Sequence, residues 1–109
     1  MGLPSLTLNA DLAATWRVIL EQKGLTVCYD EVEASKLAST SQRVSEAPWL
    51  IGDGEVELRV LEASYRDRPF VHLIFMSFDS REQRQLFSGV QESLIAAGAT
   101  VGPKPPPPA

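Results

Sequence analysis

"VELRVLEASYRDRPFVHLIFMSF", residues 56–78, decides how this chain folds. Val56, Leu58 and Val60 alternate with Glu55, Glu57 and Arg59. A two-residue period is the mark of a strand with one buried face. Phe70 to Phe78 reads as the returning strand, and "YRDRP" between the two reads as a hairpin turn. A turn centred between Arg66 and Asp67 sets Val60 opposite Leu73 and Leu58 opposite Phe75. The core face is then Val56, Leu58, Val60, Val71, Leu73 and Phe75. His72 falls on the other face beside Leu61, with Ile74 opposite Arg59 and Met76 opposite Glu57. A slip of one residue would exchange the faces and set His72 across from Glu62 on the core side. The first register is preferred, because it keeps a polar ring among charged residues and out from under helices.

Upstream, Trp49 to Ile51 forms the other arm of a second hairpin, turned by Gly52-Asp53-Gly54. The segment Glu33 to Pro48 stays open between a short helix and an irregular loop. Ala34, Leu37, Ala38 and Val44 hint at a helical face, while Ser35, Ser39, Thr40, Ser41 and Ser45 compete for backbone hydrogen bonds. Leu25 to Glu31 reads as a strand. Before it, Asn9 or Asp11 caps a helix to Lys23, with Leu12, Trp16, Ile19 and Leu20 on one face and Gly24 as a left-handed stop. Leu25 is placed to pack back on that stop. Ser5 to Asn9 is a short edge strand. Downstream, Asp79 caps and Glu82 completes the box of a helix carrying Leu86, Phe87, Val90, Leu94 and Ala97. Gly98 ends it, and Val101 packs back.

Two helices cannot bury their apolar faces alone, and neither can one sheet. The expected fold is therefore α+β: a two-layer sandwich, with a mainly antiparallel sheet of three to five strands and two helices packed on one face. Residues 1–101 make a single domain, and 102–109 a Pro-rich disordered tail able to form a polyproline II segment.

The composition narrows the function classes. A formal net charge of −4 argues against nucleic acid, which needs a basic patch. Arg66 and Arg68 stand at one hairpin tip and Arg81 and Arg84 at a helix start, too far apart to form one patch. The single cysteine, Cys28, forms no internal disulfide, and no charged leader precedes an apolar segment. No run reaches the ~20 apolar residues of a membrane helix. These features set the expectation of a cytoplasmic protein without a membrane partner.

No ligand spacing for a metal is present, and no cofactor motif. "GDGE" at Gly52 to Glu55 lacks the Lys and Ser/Thr of a phosphate loop. Asp30-Glu31-x-Glu33 reads as a solvated strand end. Trp16 and Trp49 read as core anchors.

The strand at Phe70 to Phe78 is apolar on both faces, so apolar side chains are left uncovered by helices on one side only. The expectation is a small acidic, non-catalytic interaction or regulatory module that self-associates as a homodimer through this outer face. Phe70, His72, Ile74 and Met76 form the centre of the interface, with Glu57, Arg59 and Leu61 around them. His72 then makes association pH-sensitive, a carboxylate such as Glu57 favouring its charged form. The alternative is a small-ligand binder with residues 33–48 as a mobile lid. An enzyme built on Cys28 or His72 is disfavoured, since nothing in the sequence places the two together. The helix-first, sheet-in-the-middle, helix-last order is similar to that of small acidic secretion chaperones, which implies a protein-binding role on fold analogy alone.

Overall fold

A computed structural model describes residues 4–40 and 46–102. The described elements run β1 (Ser5–Asn9), α1 (Ala10–Gln22), β2 (Val27–Tyr29), α2 (Glu31–Thr40), β3 (Glu46–Ile51), β4 (Val56–Tyr65), β5 (Arg68–Phe75), α3 (Arg81–Ala96) and β6 (Thr100–Val101). The class is α+β, as the sequence led us to expect, with more strands and one more helix. The strands form one antiparallel sheet in the order β2-β3-β4-β5-β1-β6. The Pro-rich tail at 103–109 and the stretch 41–45, with Val44, lie outside the described residues.

The central hairpin has the first of the two registers. Leu58 pairs with Phe75, Val60 with Leu73, and Leu61 with His72. Arg66 and Asp67 turn it, with φ of 49° and 64°. Two consecutive left-handed residues match the right-handed strand twist, although neither is the glycine or asparagine that adopts that shape most cheaply. The β3–β4 turn uses glycine where it must. Gly52 sits at φ 67°, and a Cβ there would stand 2.5 Å from Leu86 Cδ2 of α3.

Pro48 lies inside a paired strand, where a missing N–H normally costs a ladder bond. Its backbone faces the end of β2, where Asp30 donates to the Pro48 carbonyl at 3.0 Å and then leaves the sheet to cap α2.

One face of the sheet carries the core. Leu6, Leu8, Ile51, Val56, Leu58, Leu73 and Phe75 are fully buried against Leu12, Trp16 and Leu20 of α1 and Val90 and Leu94 of α3. Each fully buried Leu contributes about 2 kcal/mol. Trp16 meets Trp49 edge-on at 5.7 Å, and Arg17 covers the Trp49 ring at 4.8 Å.

Both long helices close as the glycines foretell. Leu25 donates to Leu20 and Gly24 to Glu21, a Schellman closure. At the end of α3, Ala99 rather than Val101 packs back: Ala99 donates to Leu94 and is buried, and Val101 is exposed. The start of α3 is one residue later than expected. Ser80, not Asp79, caps it, and Gln83, not Glu82, completes the box. Gln83 also donates to the Glu55 carbonyl at 2.9 Å, which ties the helix to the β3–β4 turn. No helix among the described residues is long and apolar enough to cross a membrane.

Two corrections concern placement. Ser5–Asn9 is not an edge strand, because β6 pairs outside it. Asp30-Glu31-x-Glu33 is not a strand end: Asp30 accepts from the Glu33 N–H at 3.1 Å as the cap of α2, and Glu31 and Glu33 lie in its first turn. α1 and α3 share one face as expected, and the additional helix α2 stands on the other side.

Candidate functional site

The side of the sheet opposite α1 and α3 is built from cross-strand rows. Pro48, Arg59, Ile74 and Ser5 form one row, and Glu46, Leu61, His72, Thr7 and Thr100 the next. Ala63, Phe70 and Asn9 form a third. Met76 donates to the Glu57 carbonyl at 2.9 Å beyond the other end. Side chains within a row share a face, so the strand pairing brings Phe70, His72, Ile74, Arg59 and Leu61 onto one surface, as the sequence pattern indicated.

Arg59 is occupied. Its Nη2 donates to Glu33 of α2 at 2.6 Å and its Nη1 to Glu46 of β3 at 2.9 Å. The fork geometry of a guanidinium suits two carboxylates at once. The pair fastens α2 against the β3 side of this face and buries Arg59. Sequence reasoning missed Glu33 and Glu46. The signal was the acidic start of α2, which has no local reason to turn toward the sheet.

His72 is held from the far side. Its Nδ1 lies 3.1 Å from Thr7 Oγ1, and that hydroxyl donates to the Gly102 carbonyl at 2.6 Å. A threonine hydroxyl has one hydrogen. That hydrogen goes to Gly102, so Nδ1–H of His72 is the donor to Thr7, and in the neutral ring Nε2 keeps its lone pair. The ring packs edge-on against Phe70, centroids 4.9 Å apart. Burial lowers the His72 pKa below its ordinary 6.5. Glu57 is not its neighbour, being four residues away along β5, opposite Met76. The expectation of a carboxylate favouring the charged ring is therefore reversed in direction.

Phe70 is buried at 7% exposure. Leu61, His72 and Ile74 are half-buried, and Glu57 and Met76 are exposed. Cys28 is exposed on β2. It lies in the Leu50–Glu57 row, three strands from β5, about 14 Å across the sheet at ordinary strand spacing. The two groups of the disfavoured thiol reading are therefore not brought together. Among the described residues no three His, Cys, Asp or Glu side chains converge as a metal set.

Shallow grooves run along the exposed side of α3, one of them between Gly89 and Ala96 of α3 and Lys23 and Leu25 after α1. No family model matches the chain, and no curated protein or solved structure matches it.

Proposed function

We propose that the protein is a small acidic, non-catalytic interaction module that seats a protein partner, a second copy of itself in the simplest case, on the part of the outer sheet face beyond α2. The contact surface is Leu61, His72, Ile74 and Met76, with Glu57 at the rim. The observation that carries this reading is an uneven cover. α2 and Arg59 close the β3 side, while Ile74 stays half-buried and Met76 is 37% exposed on β5 and beyond it. Apolar side chains left at a sheet face favour association. Phe70 and Arg59 support the surface from beneath, since both are buried. A lone cysteine fits a reducing, cytoplasmic setting.

Light scattering on a sizing column tests it. The wild type is expected to show a concentration-dependent mass above that of one chain. Ile74→Asp and Met76→Asp are each expected to lower that mass in a chain that stays folded, because a carboxylate at an apolar contact loses its water. Variants that stay as associated as the wild type would remove the outer face from the contact.

One observation favours a second reading, a small-ligand site with α2 as its lid; residues 46–48 of the lid expected from the sequence are instead paired in β3. α2 stands on this face through Arg59, and no described side chain of it is buried. A metabolite that raises the melting temperature at constant mass would support it.

A further inference from the structure

Hydrogen-bond parity along β2 leaves one edge of the sheet open. Gly52 donates to the Thr26 carbonyl at 2.8 Å and Asp30 to the Pro48 carbonyl at 3.0 Å. Cys28 pairs with Leu50 between them. Backbone groups alternate in direction along a strand, so those of Thr26, Cys28 and Asp30 point to β3. Those of Val27 and Tyr29 point away from the sheet. β2 ends the strand order, and no described residue pairs with it on that side. α2 leads inward, since its Glu33 reaches Arg59 two strands away. Natural sheets blunt such edges by keeping the strand short or with Lys, Pro or bulges, and three-residue β2 has only the first of these. This strand reads Val-Cys-Tyr, uncharged, with Cys28 and Tyr29 exposed.

We propose that β2 pairs antiparallel with β2 of a second copy about a two-fold axis through Cys28, which joins the two sheets edge to edge. The parity selects this register. The outward groups of Val27 meet those of the second copy's Tyr29, and the reverse, so both exchange main-chain hydrogen bonds. Cys28 then faces its own counterpart as a non-hydrogen-bonded pair, with Cα atoms about 4.5 Å apart. Charge agrees with the register. The exposed Lys23 before β2 comes toward the Asp30–Glu31 end of the other copy, where Glu31 is exposed. A strand this short makes a weak, reversible contact. The edge is distinct from the Ile74–Met76 surface, so the inference goes beyond the reading above, and either can fail alone.

The test opposes charges at the axis. Cys28→Lys and Cys28→Glu change an exposed side chain and leave the core alone. Each alone sets like charges face to face, and an equimolar mixture sets opposite ones. Made in the Ile74→Asp background, which takes the outer face out of play, each variant is expected to sediment as a monomer. The mixture is expected to associate at least about tenfold more tightly than either alone. Independently, diamide removes the two thiol hydrogens of apposed cysteines. The folded wild type is expected to form the Cys28 disulfide dimer about tenfold faster than the same chain unfolded in urea, because about 4.5 Å lies within disulfide reach. Ile74→Asp is expected to leave that rate unchanged. A mixture no more associated than its components, or folded cross-linking no faster than unfolded, would overturn the pairing. So would a rate lost with Ile74→Asp, which would move the contact to the outer face.

Discussion

At the scale of single residues, His72 couples the fold to pH through burial. Its folded pKa lies below the ordinary 6.5, because the charged ring loses water. The unfolded chain therefore binds the proton more readily than the folded one. The stability this position contributes is fully present above about pH 6.5 and is lost as pH falls through the lowered folded value. His72→Gln keeps an N–H donor for Thr7 Oγ1 and removes the titration. The stability difference between wild type and variant, from urea midpoints, is expected to move against the wild type between about pH 7.5 and about pH 5.5. A difference that moves toward the wild type on acidification would mean that a carboxylate, not burial, governs the ring. The position of His72 beside Leu61 was legible, because both registers of the hairpin turn Val56, Leu58 and Val60 to the core and only one of them keeps the polar ring out from under the helices. Its partners were not. Thr7 is 65 residues away in sequence and Gly102 closes the chain's last described strand, so no local pattern links them.

At the scale of elements, α2 shows why propensity alone left residues 33–48 open. Its serines weaken it: Ser35 turns its hydroxyl back to the Glu31 carbonyl at 3.0 Å, and Ser39 to Lys36 at 2.8 Å. A local cap, Asp30, starts the helix, and a distant grip, Arg59 of β4 on Glu33, supports it. Arg59→Ala leaves the Glu33 and Glu46 carboxylates without their shared cation at a half-buried site. Breaking such a pair costs about 3 kcal/mol. The expected outcome is a stability loss of about that size together with faster tryptic cleavage at Lys36, as α2 lifts from the sheet. Arg59→Lys is expected to recover only part of it, because one ammonium cannot present a fork to two carboxylates. Loss of stability with unchanged cleavage would show that α2 is held by something other than Arg59. The start of α3 makes the complementary point. "DSREQ" contains two overlapping capping frames, Asp79 with Glu82 and Ser80 with Gln83, and local rules do not choose between them. The Gln83 bond to Glu55 decides, and that contact exists only once the β3–β4 turn is in place.

At the scale of the whole molecule, the sheet is a local meander closed by a distant strand. β3, β4 and β5 follow one another through tight turns, and their pairing was readable from alternation. β1 enters between β5 and β6, which joins the first described strand to the last. A five-residue segment cannot reveal that it will be central, so it read as an edge, and the two residues of β6 carried no strand signal at all. The same architecture predicts a graded response to opening. Leu58, Leu73 and Phe75 are fully buried in β4 and β5, so amides there can exchange only when the core opens, at the full unfolding free energy of about 5–15 kcal/mol. α2 buries no described side chain fully, and an ion pair and a cap are among its ties to the rest of the fold. Native-state hydrogen exchange is expected to show the α2 amides opening first and independently of denaturant, with β4 and β5 last and merging with global unfolding. β1 is expected to exchange with β5, because it lies between two partners and Leu6 and Leu8 are buried. If α2 exchanged with β4 and β5 in one global step, the helix would be an integral layer rather than a separable cover. The outer face would then lack a part that can move away from a partner or over a ligand.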